Sequence, residues 1–393
     1  MSTLLIALLA LLAGAGGALL LLRRGRSADH PPPPPAAPAA PAAPAAPPTT
    51  AAAGLHAPAS TTPAPAELPA PTALPPALRS FRPVAHETLP PAQVTALVQR
   101  LQQLPPPPLA LHKLVSAEFL EAARPSALAE LIMAEAQIAA RILATVNSPR
   151  YGLRKPVGSV VQAVSLLGLN TVRALCLQHL LHNSFGNPGA AQRQRLDRLL
   201  RASTLSSELC GRLAARLDLA EPGALVTQAV LCFLGPLATT VLLQPDSPAW
   251  GPHPSLLARL QAEQQALGLG AGEVGALLMQ AWGLPASIVQ EVRDVDSLLV
   301  TPAHLVDPRR APRLALCYLS GRLGERLAQG DLDDLAHWQR ADPADPANAP
   351  DTDFCHLGSY LALPALARVD TLLQEPALLA AVRALQGGVA QPA

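Results

Sequence analysis

The side chains able to carry catalysis are few and scattered. His179 and His182 stand three apart in a helical pattern, so they share a face. Their neighbours Leu177, Gln178, Leu180 and Leu181 supply no carboxylate, which favours hydrogen-bonded or partly exposed imidazoles over metal ligands. His112, His253, His304, His337 and His356 show no ligand spacing. Cys176, Cys210, Cys232, Cys317 and Cys355 form no CxxC pair, which removes zinc knuckles and dithiol redox sites. All five are expected to be buried apolar thiols in helices, and their odd number suits a reducing cytosol. There is no glycine-rich phosphate loop, GxSxG or HExxH, and no cofactor is implied. With Lys+Arg 29 against Asp+Glu 28 over 393 residues, the net charge of +1 gives no electrostatic basis for nucleic-acid binding. Two basic runs, Arg193 to Arg201 and Arg309-Arg310 to Arg313, are expected to be solvated helix faces. The first, through Arg193, Arg195 and Arg198, also offers a contact for anionic lipid or an acidic partner.

The elements that would position these groups are all helical. Val94, Leu97, Val98 and Leu101 predict an amphipathic helix over 92–104, broken by Pro105 to Pro108. Further helices are expected over 109–122, 126–146 with Ser126 as N-cap, 159–167, 170–185, 190–217, 222–243, 255–267, 272–282, 285–298 and 311–329. Short helices follow a Pro-Asp-Ala loop at 341–353. Folded sequence is expected from Thr88.

Ahead of it, Leu4 to Leu22 is uncharged and ends at Arg23, Arg24 and Arg26. At about 1.5 Å per residue this length just crosses a bilayer core as one helix. Basic residues after it place that end in the cytoplasm, with the N-terminus outside. A cleaved signal peptide is the rival reading, disfavoured because residues 1–3 carry no basic side chain. From Pro31 to about Pro76 the chain is Pro and Ala with some Thr, which cannot build a core and is expected to be an extended, disordered spacer. The expected organisation is 1–26 anchor, 27–87 linker, 88–300 helical domain and 301–393 a helical extension of it.

Several separated motifs carry a resemblance. They are Leu104-Pro105-Pro106-Pro107-Pro108, Leu128-Ala129-Glu130-Leu131-Ile132, Ala139 through Asn147-Ser148-Pro149-Arg150-Tyr151-Gly152, and Val157 through Leu167-Gly168. Later come Glu273-Val274-Gly275-Ala276-Leu277-Leu278 and Trp282-Gly283-Leu284-Pro285. Over Thr88 to Ser297 the chain resembles the HDOD domain of bacterial signalling proteins, with Glu135-Ala136 where that family usually has Asp-Pro. The resemblance implies an all-α, multi-helical HDOD/HD-like domain.

HDOD domains resemble HD-type phosphohydrolases, whose His and Asp ligands hold a divalent metal that activates water. Carried onto this chain, the His-Asp pair falls on Cys232 and Phe233, a further His on Ala271, and a later His position near Val295-Asp296. A conventional hydrolase is therefore not expected, and an apolar core around Cys232, Ala271 and Asp296 would close the catalytic question. Asn147 and Ser148 read as a helix C-cap, Tyr151-Gly152 as a packed turn, Gly168 as a close helix approach, and Trp282 and Pro285 as helix boundaries. The Asn147 to Gly152 loop is also a candidate interaction surface. The expected function is a non-catalytic, membrane-tethered signalling scaffold at the bacterial inner membrane. It would bind a cytosolic or membrane signalling protein, or a small ligand such as a nucleotide second messenger. The alternatives are a degenerate metal-dependent phosphohydrolase or phosphodiesterase, and a nucleotide sensor that does not hydrolyse.

Overall fold

Helical periodicity in an aliphatic, aromatic-poor sequence becomes a stack of short helices in the computed structural model. It describes residues 74–116, 118–119, 124–148, 151, 153, 155–186, 189–251, 255–339 and 351–387. The expected anchor Leu4 to Leu22, its flank Arg23, Arg24 and Arg26, the spacer up to residue 73, Gly152 and His253 lie outside them. The described residues form one compact unit and contain no strand.

The chain runs α1 (Pro76–Ser80), α2 (Pro91–Leu101), α3 (Leu109–Leu114), α4 (Pro125–Met133), α5 (Ala136–Val146), α6 (Val160–Leu167) and α7 (Leu169–Ser184). It continues with α8 (Ala190–Arg216), α9 (Pro222–Leu231), α10 (Leu234–Leu242), α11 (Leu256–Leu267), α12 (Ala271–Ala281) and α13 (Ala286–Arg293). After a 3-10 turn at Val295–Leu299 come α14 (Ala311–Gln329), α15 (Leu357–Leu361), α16 (Val369–Leu373) and α17 (Pro376–Gly387).

Two apolar cores meet along α8, which at 1.5 Å per residue is about 40 Å long. Leu196, Leu199 and Ala202 of its first half join a core built from α2 to α7, α9, α10, α12 and α13. Leu205, Leu209, Cys210 and Leu213 join a second core with α1, α11, α14 and the C-terminal helices. One apolar run, Pro222–Leu242, is long enough to cross a membrane, but 83% of its most apolar window is buried inside this unit.

Four expected helices are shorter or broken. The stretch expected as one helix over 126–146 is α4 and α5, with Glu135 extended at φ −120° and ψ 92° between them. Leu128, Ala129 and Ile132 are buried in α4, and Ile138, Ile142 and Val146 in α5. Pro125 opens α4 after Arg124, so Ser126 is inside the helix and caps nothing. The stretch expected over 222–243 breaks at Cys232-Phe233, that over 285–298 ends at Arg293, and that over 109–122 leaves its α-helix at Leu114.

Ser159 and Ser255, expected as the first residues of their helices, cap them: Ser159 accepts from the Gln162 N–H, and Ser255 from the Ala258 N–H. The folded chain starts before Thr88, because Leu78 and Phe81 are buried in the second core. Cys176, Cys210 and Cys317 are buried as expected, but Cys232 and Cys355 are half-buried. Gly168 stands at the bend between α6 and α7 as expected, its φ of +82° letting them turn by 117°, but nothing lies within 4 Å of where its Cβ would be, so the expected close approach is not there.

Candidate functional site

The break between α9 and α10 places Cys232 and Phe233 against α12. Phe233 is 2% exposed. Gly235, two residues on, touches the first turn of α12 so closely that a Cβ would lie 2.0 Å from the Ala271 carbonyl oxygen. Asp296, in the 3-10 turn after α13, lies beside the same turn, its Oδ2 3.5 Å from where Gly272 would carry a Cβ. Burial pushes the Cys232 thiol well up, and the Asp296 charge adds to this. Burial also raises the Asp296 carboxyl, with Arg322 and Arg259 offsetting part of it. Cys232, Phe233, Ala271 and Asp296 are thus brought into one neighbourhood. Phe233 and Ala271 carry no donor atom, so the four positions offer one thiol and one carboxyl, short of the roughly three side-chain ligands from which a catalytic divalent-metal site is built.

That neighbourhood is apolar only on the Phe233 side. On the other side lies a buried ionic network. Arg259 and Glu263 come from α11, Arg322 and Glu325 from α14, and Asp353 from the turn before α15; all five are under 9% exposed. Arg259 Nη1 donates to Glu325 Oε2 at 2.9 Å, and Arg322 pairs with the other Glu325 oxygen. Glu263 accepts from the Ala271 N–H at 2.7 Å and from Thr239 Oγ1 at 3.1 Å. Asp353 accepts from the Leu256 N–H at 2.9 Å, its carbonyl accepts from Tyr318 OH at 2.6 Å, and Arg326 reaches it at 3.4 Å.

Burial opposes ionisation of Glu325, but Arg259 and Arg322 outweigh it and lower its pKa. Burial raises Glu263 to about 7, although Arg259 and the Ala271 N–H pull the other way. The apolar core that would have closed the catalytic question is therefore not what surrounds these residues: one side of the neighbourhood is ion-paired. Its members were readable as Arg-x-x-x-Glu and Arg-x-x-Glu pairs bracketed by Leu256, Leu257 and Leu260, and by Leu319 and Leu323. Such spacings also suit exposed helix pairs, and nothing local separates the two cases.

The Asn147 loop is built on a different principle. Asn147 ends α5, and its carboxamide brackets Val157: Nδ2 donates to the Val157 carbonyl at 2.9 Å and Oδ1 accepts its N–H at 2.7 Å. The Ser148 N–H donates to Thr145 and the Tyr151 N–H to Ser148, both at 3.1 Å. Half-buried Tyr151 borders a cavity of about 220 Å³ between α7 and α8.

Among the described residues, one group of three side chains brings metal-ligating atoms together: His86, Glu87 and Glu273. A guanidinium already closes it. Arg293 binds both Glu87 oxygens at 2.8 and 2.6 Å and Glu273 Oε1 at 2.6 Å, while His86 Nδ1 lies 2.6 Å from Glu273 Oε2. Burial, Arg141 and His182 lower the pKa of His179, whose Nε2 pairs with Asn183 at 3.3 Å.

The basic runs are less free than expected. Arg195 stacks 4.0 Å from the Trp250 ring centroid and donates to the Trp250 carbonyl at 2.9 Å. Arg310 pairs with Asp294 at 2.7 Å, and Arg313 donates to the Ala220 carbonyl at 2.8 Å.

Comparison with known proteins agrees with this helical architecture. No curated protein matches the chain. A proposed signal transduction protein from Marinobacter aquaeolei VT8 is similar at 20% identity and a TM-score of 0.53, over 76% of this chain and 65% of that one. An HDOD domain protein of unknown function from Geobacter sulfurreducens is similar at 18% identity and a TM-score of 0.45, over 75% and 98%. A proposed phosphohydrolase from Shewanella amazonensis SB2B is similar at 20% identity and a TM-score of 0.47, over 75% and 98%. The HDOD domain family model matches residues 104–298, so this is an HDOD domain protein, all-α over its described residues.

Proposed function

We propose that the protein is a non-catalytic, membrane-tethered HDOD module that works by binding, at the cytosolic face of a bacterial inner membrane. The observation that carries this reading is the chemistry at Cys232, Phe233, Ala271 and Asp296. Two of the four side chains have no ligand atom, and the space beyond them is used by Arg259, Arg322 and Glu325. A hydrolase needs a metal or an activated nucleophile in an accessible cleft. Here the nearby charges neutralise one another and are buried.

The surface for a signalling partner includes Asn147, Ser148 and Tyr151, of which Asn147 is held by its two bonds to Val157. The uncharged Leu4 to Leu22 stretch and Arg23, Arg24 and Arg26 support single-pass anchoring with the N-terminus outside. Anchoring would concentrate a surface that has no turnover of its own.

The test uses full-length protein purified in detergent. Crosslinking in its native membrane should give discrete partner adducts that Tyr151→Ala weakens. A protein that stays solitary, or one that turns over a cyclic dinucleotide or a nucleotide, contradicts the reading.

A further inference from the structure

Two charged side chains, both from α8, stand on the wall of the cavity beside Tyr151. They are Glu208 and Arg212, about one helical turn apart. Glu208 Oε1 accepts from Arg212 Nε at 2.7 Å. That single bond leaves Glu208 Oε2 and both Arg212 Nη groups without a bond to a described residue. The Glu208 side chain is 14% exposed and that of Arg212 49%. A pair of this kind, with one partner half in water, is weak. Arg212 is thus held loosely over a carboxylate that has lost most of its hydration.

Three further wall residues offer acceptors beside that pair. Ser207 Oγ donates to the Thr204 carbonyl and Thr204 Oγ1 to the Leu200 carbonyl, both at 3.0 Å. Each hydroxyl proton is used inside α8, so each oxygen can give a ligand only lone pairs. Gln178 Nε2 donates to Ser207 Oγ at 3.2 Å, which leaves its Oε1 with no described partner. Asn170, Thr171 and Tyr151 complete the polar part of the wall. The rest is apolar: Ala174 and Leu175 of α7, Gly211 and Ala215 of α8, and Val226 of α9. Gly211 lets α9 come this near, since a Cβ there would lie 2.8 Å from Val226 Cγ2. An apolar wall with a few placed polar groups is the usual make-up of a small-molecule site.

We propose that this cavity binds an α-amino acid with an aliphatic side chain of up to leucine's size. Its ammonium donates to Glu208 Oε2 and to the acceptors of Gln178 and Thr204. Its carboxylate takes the remaining Nη groups of Arg212 at the rim, and its side chain lies on Ala174, Leu175 and Val226. A carboxylate and a guanidinium one turn apart match a zwitterion whose two charges sit on one carbon. A simple anion or cation would meet the like charge of Glu208 or Arg212 as well as the opposite one. The cavity's 220 Å³ equals about seven liquid waters at ~30 Å³ each, the bulk of one amino acid. This deepens the binding function proposed above, and rests on it, by naming a site and a ligand class; no bond is made or broken. A ligand held there adjoins Tyr151 of the partner surface.

The experiment measures calorimetric binding and melting temperature of the full-length protein in detergent with leucine, glycine and the two half-molecules of leucine. Isopentylamine lacks the carboxylate and 4-methylpentanoate lacks the ammonium. Leucine should bind saturably and raise Tm. Each half-molecule should bind more than about tenfold more weakly, and so should glycine, which has nothing to lay on the apolar wall. Glu208→Gln and Arg212→Met should each weaken leucine by more than about tenfold. If Glu208→Gln fails to fold, Arg212→Met, at a half-exposed position, carries the test.

No binding of leucine, a half-molecule that binds as tightly as leucine, or an unchanged leucine affinity in Arg212→Met overturns the proposal. Partner adducts that form although leucine does not bind overturn this proposal and leave the scaffold reading standing. Leucine binding in a protein that yields no adducts does the reverse.

Discussion

Asn147 and Val157, ten residues apart, are joined through both backbone groups of Val157 by one carboxamide, at 2.9 and 2.7 Å. The pair ties the C-terminal end of α5 to the chain just before α6. A β-sheet residue pair makes the same two-bond exchange; here a side chain replaces one strand. Asn147→Ala should cost about 1–3 kcal/mol in denaturant unfolding, because it strands a backbone donor and acceptor. It should also speed hydrogen exchange at Val157 before anywhere in α8. Asn147→Asp keeps only the acceptor and should fall between wild type and Ala.

Glu325 holds Arg259 and Arg322 together inside the second half of the molecule. Arg259→Met leaves a buried carboxylate short of one partner and should destabilise the protein by about 3–5 kcal/mol in denaturant titration. The combined replacement Arg259→Met with Glu325→Leu should recover part of that loss. A double variant no better than the sum of its singles would show that the pair is not coupled.

Glu263 has a pKa raised by burial from the ordinary 4.5 to about 7. The folded state therefore binds a proton that the unfolded chain has already released between these values. The stability Glu263 contributes is full below about pH 4.5 and is lost as pH rises through about 7. Glu263→Gln copies the protonated form and can still accept from the Ala271 N–H. Its stability, compared with wild type across pH 4 to 8 by urea unfolding, should grow relatively with pH and level off above about 7. A constant difference across that range would refute the assignment.

Gly235 packs on the Ala271 backbone with no room for a methyl group, since a Cβ would lie 2.0 Å from the carbonyl oxygen. Backbone cannot yield as a flexible side-chain tip does. Gly235→Ala should destabilise by about 3 kcal/mol or more, read as a lower denaturant midpoint at unchanged slope. Gly158, before α6, with nothing within 4 Å of its Cβ position, should accept alanine with little change.

Helix existence was legible from α2 onward but not for α1, which lies in the stretch expected as spacer, and helix ends were legible wherever a polar cap or proline marks them. Ser159, Ser255 and the start of α14 at Ala311 are of this kind. Breaks inside apolar runs were not legible by composition. The one at Glu135 falls between apolar positions that one continuous helix could also bury, and the one at Cys232-Phe233 interrupts a run in which nearly every residue is buried. The motifs located the neighbourhood of Cys232, Phe233, Ala271 and Asp296. They could not show the ion network beside it, because Arg259, Glu263, Arg322 and Glu325 lie on helices that the chain brings together from 66 residues apart.

The central claim is that this HDOD module binds and does not catalyse. Its most direct test is the metal content of the full-length protein after loading with Mn, Fe or Mg and removal of free ion. The account predicts far less than one metal per chain. Stoichiometric metal that is retained by wild type and lost on Asp296→Asn would contradict it.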